Sequence, residues 1–234
     1  MGRKRSKTSF IGQITSGISA NTLALRTIDF VRQQLPAWRD DPDRPNEQSE
    51  NKLNLQLCKF LGFCAQSSFP MVHFDHEEYQ SGRRSVDLAA SLVERTVLEA
   101  QLYTIYDPIL VLEGKRLPAP SSDREKEYVT GKERKSGGIQ RFKLGLHGAK
   151  LNVAAMIGYV QGRSARHWYN KINEWISELV SGKTEDGCVW TDREILKTIE
   201  EDVANGITSY CSVHSRMCGN EIELHHLWIA MSCL

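Results

Sequence analysis

The stretch from Pro108 to Leu117, PILVLEGKRL, constrains the fold more than any other. Side chains in a strand alternate between faces, so Ile109, Val111, Glu113, Lys115 and Leu117 share one face, while Leu110, Leu112 and Gly114 take the other. Both rows are apolar until an acid and a base extend one of them. A sheet has to bury this strand and still place Glu113 beside Lys115.

The segments around it indicate what covers such a sheet. Residues 19–35 carry Leu23, Leu25, Ile28, Phe30, Val31 and Leu35 at helical spacing, and Pro36 is expected to close that helix. After the turn PAWRDDPDRPN, Asn46 or Ser49 can cap a second helix running to about Gly62. Its buried stripe is Leu53, Leu57 and Leu61, which puts Glu50 at the head of the stripe, facing inward. FPMVHFDHEEY, RRSVDLAASLV and DPILVLEGKRL read as strands, while ERTVLEAQLYTIY suits strand or helix. Residues 121–138 read as an exposed loop, IQRFKLGLHG as a short helix and KLNVAAMIGYVQ as a buried strand. SARHWYNKINEWISELVSG reads as an amphipathic helix ending at Gly182, and TDREILKTIEEDV as a capped helix. ITSYCSVHSRM and EIELHHLWIAM are expected to form a terminal hairpin through Gly219 and Asn220. The fold class is therefore α/β, a mixed central sheet flanked by helices. The expected division is a basic arm and helix over 1–45 and the α/β domain over 46–234.

With 234 residues and 40% hydrophobic content, the chain can bury one large core. The apolar run Val153–Val160 is too short to span a bilayer, and no apolar segment follows the charged N-terminal residues, so a cytoplasmic protein without membrane contact is expected. Six cysteines at irregular spacings, with no CxxC pair, fit reduced thiols. The formal net charge of +1 conceals a basic start, Arg3, Lys4, Arg5 and Lys7, and an acidic turn, Asp40, Asp41 and Asp43.

Asp87, in SVDLA, is a lone carboxylate inside an apolar strand, costly to bury unless it is paired or binds a cation. With Glu113 nearby in the sheet, two carboxylates would converge beside one ammonium. Alone they repel, raising one pKa; a divalent cation removes the repulsion and keeps both ionised. Oxygen ligands of this kind suit Mg²⁺ or Mn²⁺, whose bound water is acidic enough to attack a phosphate. Lys115 suits orienting that water or stabilising charge on the phosphoryl oxygens.

Asp87 followed by Glu113-Gly114-Lys115 at the end of an apolar strand, with Glu50 on a preceding helix, resembles the PD-(D/E)XK nuclease superfamily and its restriction-endonuclease-like fold. Val86 stands at the position of the name-giving proline, and the resemblance spans roughly residues 46–180. It implies a nuclease in which Asp87, Glu113 and the Gly114 carbonyl hold Mg²⁺ or Mn²⁺ and Lys115 serves the attacking water. Glu50 and Gln140 would support from nearby. The implied substrate is nucleic acid, with DNA favoured over RNA, and the implied setting is a bacterial antiviral or restriction system. Control by a homo-oligomer or a regulatory partner protein would be expected. The alternative is a catalytically silent nucleic-acid-binding or structural subunit with the same fold.

Other clusters have plainer readings. Cys211, His214, Cys218, His225 and His226 crowd the C-terminal hairpin at spacings that match no common zinc motif, so packed cysteines with surface or core histidines are expected. His73 and His76 suit a polar strand end, and Trp168 and Trp175 form a helical stripe for the core. Lys132, Arg134, Lys135 and Arg141 make a basic patch just after the ExK strand, where it could reach a phosphate.

Overall fold

Residues 153–160 alternate strictly between two apolar layers, and the rest of the fold is arranged around them. The computed structural model describes residues 20–80, 84–98, 100–131, 135–182 and 186–231. In chain order the helices are α1 (Ala20–Arg39), α2 (Glu50–Ser68), α3 (Gly138–Lys143) and α4 (Ala165–Ser181). The strands are β1 (Val72–Tyr79), β2 (Ser85–Leu92), β3 (Thr96–Leu98), β4 (Gln101–Tyr103), β5 (Pro108–Leu117), β6 (Val153–Val160), β7 (Lys197–Asp202), β8 (Ile207–Ser215) and β9 (Glu221–Ala230). Seven of them form one mixed sheet in the order β1-β2-β5-β6-β9-β8-β7, and β3 with β4 form a separate small hairpin. β5, β6 and β9 run parallel, and the other neighbours are antiparallel.

Both faces of β6 are fully covered, as expected for a central strand flanked by parallel partners. Val153, Ala155, Ile157 and Tyr159 pack under α1 and α2, together with Leu110 and Leu112 of β5. Ala154, Met156 and Val160 pack under α3 and α4, together with Val111 and Leu117. Leu53, Leu57 and Leu61 of α2 are completely buried, and each contributes about 2 kcal/mol of hydrophobic stabilisation. Trp168 and Trp175 are core residues of α4, as their spacing predicts.

Several elements depart from their sequence-based expectations. α1 runs through Pro36 to Arg39, because the missing amide costs less than exposing Leu35 and Trp38, which are buried against the sheet. α1 also shares its apolar cluster with α2, β5 and β6. α2 continues past Gly62 to Ser68, burying Ala65. ERTVLEAQLYTIY, open between strand and helix on sequence, takes the strand alternative as the β3-β4 hairpin, with Ala100 at φ +65° in the turn.

The expected helix TDREILKTIEEDV is a 3-10 turn, Asp192–Glu194, followed by edge strand β7. Two contacts override its helical pattern. Asn173 of α4 accepts the Leu196 amide at 2.8 Å and donates to the Leu196 carbonyl at 3.3 Å, holding that backbone extended. Glu194 is drawn inward by Lys143. The 121–138 segment is only partly a surface loop: Ser122–Tyr128 is a 3-10 turn, and Tyr128 and Val129 are buried. The terminal hairpin is present, but it is no appendage, since β9 lies inside the sheet between β6 and β8. Among the described residues, no helix is long and apolar enough to cross a membrane.

Candidate functional site

The β2-β5 ladder stops at Leu88 opposite Leu112, and the site lies in the gap beyond it. Every second amide of β5 past that point faces β2 where the two strands have parted, and a buried N–H needs an acceptor. Two carboxylates supply it. Gly114 N–H donates to Asp87 Oδ2 at 2.8 Å, and Arg116 N–H donates to Glu50 Oε2 at 3.1 Å. N–H and C=O of one strand residue point the same way, so the Gly114 carbonyl faces this gap too. Only glycine fits at 114: a Cβ there would lie 1.9 Å from Asn54 Oδ1, one turn of α2 beyond Glu50.

Lys115 ties the acids together. Its Nζ lies 2.8 Å from Glu50 Oε1 and 3.0 Å from Glu113 Oε1. Glu113 is fully buried, and the same Oε1 accepts from Arg141 Nη1 of α3 at 2.7 Å. The other oxygen, Oε2, lies 3.2 Å from Nδ1 of His147, out of line for a hydrogen bond. Glu113 Oε2, Arg141 Nε and both ring nitrogens of His147 are thus buried with no hydrogen-bond partner.

These neighbours push the titrating groups apart. Burial raises the Asp87 carboxyl, and the Glu113 charge raises it further, to about 7, against the pull of Lys115 and the Gly114 amide. Burial also disfavours the Glu113 carboxylate, but Lys115, His147 and Arg141 outweigh it and hold Glu113 well below the usual carboxylate range. Burial works against the Lys115 ammonium, yet Glu113, Glu50 and Asp87 more than compensate and hold it protonated far above its ordinary range. Lys115 is therefore a fixed cation and hydrogen-bond donor, neither a base nor a proton donor.

The donor set suits a hard or borderline divalent cation. An uncommitted buried oxygen on Glu113 and a carboxyl on Asp87 kept from ionising by its neighbour's charge are both relieved by positive charge. Among the described residues, no three His, Cys, Asp or Glu side chains are grouped so as to hold a metal ion. A cation here would depend on the two carboxylates, the Gly114 carbonyl and ligands from water or substrate.

Of the residues expected from sequence, Asp87, Glu113, Gly114, Lys115 and Glu50 come together, and Gln140 does not join them. Its Oε1 accepts the amides of Gly131 and Gly137 at 3.1 and 3.2 Å, and its Nε2 donates to the Asp186 carbonyl at 2.9 Å. Gln140 clamps the loop that leads into α3, and the bond to Gly137 is the reach-back of a third helical residue to its cap. In the basic patch, Arg141 turns inward to Glu113, while Lys132 and Arg134 lie outside the described residues, as does the arm Arg3, Lys4, Arg5 and Lys7. His147 carries no sequence signal for the site, since it belongs to no motif and no apolar period, whereas Asn54 lies one helical turn after Glu50 on the face of Leu57 and Leu61, a spacing that could have found it.

A second buried polar system accounts for His214 and His226, while His225 pairs with Glu223 Oε1 at 2.7 Å. Trp228 Nε1 donates to the Tyr128 hydroxyl at 2.8 Å, so that hydroxyl donates to His226 Nδ1, also at 2.8 Å. His226 must then carry its proton on Nε2 and donate to Ser212 Oγ at 2.8 Å. Ser212 in turn donates to His214 Nε2 at 2.7 Å, and the remaining proton of His214 faces Glu194 Oε2 at 3.4 Å. Lys143 closes the chain on Glu194 at 2.6 Å. Burial lowers the pKa of both histidines, which fits neutral rings. Ser212, His214 and Glu194 have the order of a hydrolytic triad, but all three are buried, so no substrate reaches the hydroxyl. Cys58, Cys64, Cys188, Cys211 and Cys218 are free thiols.

Fold and site together define a mixed α/β protein with three carboxylates and a lysine gathered where two strands of its sheet part. Comparison with protein-family models, with curated proteins and with solved structures returned no match.

Proposed function

We propose that the chain is a metal-dependent nuclease of the PD-(D/E)XK kind, hydrolysing phosphodiester bonds with DNA as the favoured substrate. The observation that carries this reading is the convergence of Asp87, Glu113, Lys115 and Glu50 at the gap between β2 and β5. Asp87, Glu113 and the Gly114 carbonyl are the residues that would hold Mg²⁺ or Mn²⁺, which when bound supplies an acidic water and positive charge against the phosphate. Lys115, held protonated between Glu50 and Glu113, donates to a phosphoryl oxygen or orients the nucleophile. Glu50 sets the position of Lys115 by gripping both its ammonium and the next amide of β5.

The competing reading is a catalytically silent nucleic-acid-binding or structural subunit. It is favoured by the full burial of Glu113, whose charge Lys115 and Arg141 already neutralise. Cleavage of supercoiled plasmid, single-stranded DNA and RNA with Mg²⁺, Mn²⁺ or chelator separates the two. The nuclease reading expects metal-dependent cleavage that falls at least ~10²-fold in Lys115→Ala and in Asp87→Asn. Binding that weakens with salt but ignores chelation, with no cleavage of any of the three, establishes the silent subunit. A role in antiviral or restriction systems, and control by self-assembly or a partner, are extensions of the nuclease reading.

A further inference from the structure

We propose that a cavity at the carboxyl ends of β6 and β9 binds a nucleoside phosphate, whether or not the chain cleaves nucleic acid. Its volume is about 380 Å³, within the roughly 300–1,000 Å³ of small-molecule sites. Val160 and Ala230 end the two parallel strands there, and ligands of open α/β sheets lie outside such strand ends. Its apolar lining includes Val160, Ile207, Tyr210 and Trp228, with Val203, itself 74% exposed, beside them. The Tyr210 and Trp228 rings pack with centroids 4.5 Å apart, and Trp228 Nε1 is already given to the Tyr128 hydroxyl. What that ring offers an occupant is therefore apolar surface.

The charged lining narrows what that occupant is. Arg163 and Arg166 come from the start of α4, Glu201 and Asp202 from the end of β7. Arg163, Arg166 and Glu201 are exposed, and none of them has an ion-pair partner among the described residues. Arg166 lies over the Tyr169 ring at 5.3 Å, a contact that uses the face of the guanidinium and leaves its in-plane N–H donors for a ligand. Two such forks match the oxygens of a phosphate. Asp202 is committed to Asn205, whose amide and Nδ2 it accepts at 3.1 and 2.7 Å, so Glu201 is the acceptor left for hydroxyl groups, as on a ribose. An anion, a hydroxyl donor and an apolar ring in one molecule describe a nucleoside phosphate. Gln161, also in the lining, accepts Arg116 Nε at 2.6 Å, and the Arg116 amide donates to Glu50, so an occupant would touch the candidate site only through those two side chains.

Calorimetric titration of the full chain with AMP, CMP, GMP and UMP in chelator tests this. At least one of them should bind one to one, with the matching nucleoside and inorganic phosphate each at least about tenfold weaker. Arg163→Ala combined with Arg166→Ala should weaken the nucleotide at least about tenfold, and Glu201→Gln should weaken the nucleotide while leaving inorganic phosphate unmoved. These three side chains are exposed, so the variants should keep the fold, which unchanged thermal melts check. No binding of any of the four at about 1 mM, or binding that survives loss of both arginines, overturns the assignment. So does inorganic phosphate binding as tightly as the nucleotide, which would make the cavity an anion site only. Binding that is lost in Lys115→Ala but kept without the arginines also overturns it, because the nucleotide would then sit at the candidate site; plasmid cleavage decides the nuclease reading separately.

Discussion

Replacing Asp87 with asparagine should stabilise the metal-free protein, and the gain should grow with pH. The carboxyl is pushed up to about 7 in the fold, against about 3.9 for an unperturbed aspartate in the unfolded chain. Below about pH 4 both states hold the proton, and the contribution of Asp87 to stability is fully present. It is lost as pH rises through about 7, because the unfolded chain ionises the group freely while the native site resists. A difference of about three pKa units corresponds to a ceiling of roughly 4 kcal/mol, of which about 2.5 kcal/mol falls between pH 5 and pH 8. Asp87 is only half-buried, and solvent screening brings the expected increment between those two pH values to about 1–2 kcal/mol. Asparagine keeps an oxygen to accept the Gly114 amide, so the substitution removes the charge and retains the hydrogen bond. Urea unfolding of wild type and Asp87→Asn in chelator at pH 5 and pH 8 measures the increment directly. The two proteins differing by the same amount at both pH values would refute the claim that Glu113 and burial suppress ionisation of Asp87. Added Mn²⁺ at pH 8 should reverse the order, stabilising wild type and leaving Asp87→Asn nearly unmoved.

Two further substitutions test parts of the structure away from the titration. Glu194→Gln leaves the buried Lys143 ammonium without its counter-charge and should cost about 3–5 kcal/mol, whereas Glu194→Gln combined with Lys143→Met should cost clearly less; chemical denaturation of the three proteins gives both values. Gly114→Ala drives a methyl group onto Asn54 and should destabilise by about 1–3 kcal/mol, and combined with Asn54→Ala, which itself leaves the buried Tyr159 hydroxyl without its acceptor, it should cost less than the two single losses added, as thermal melts of the three variants would show.

What the sequence shows about this site and what it hides have a common cause, the range over which each residue's position is determined. Glu113, Gly114 and Lys115 belong to one strand, so alternation alone puts the acid and the base on one face and the glycine on the other. Glu50 follows from a helical stripe, because stepping back from Leu53 reaches the same buried edge. Asp87 follows from its apolar neighbours in β2, where a charged residue needs a partner. Periodicity fails where a position depends on contact between distant segments. It assigned 191–203 to a helix because neither Asn173 holding Leu196 nor Lys143 drawing in Glu194 is visible along the chain. The family resemblance places Gln140 at the site, on the helix after the lysine strand, although the glutamine is committed to the amides of Gly131 and Gly137. Arg141, next to it, enters the site instead, and His147 follows from the turn after α3. The gap beside β5 is therefore open to sequence reasoning on the side built by strand and helix periods, and closed to it on the side where Arg141 and His147 meet Glu113. The buried nitrogens of Arg141 and His147 without a hydrogen-bond partner lie on that second side.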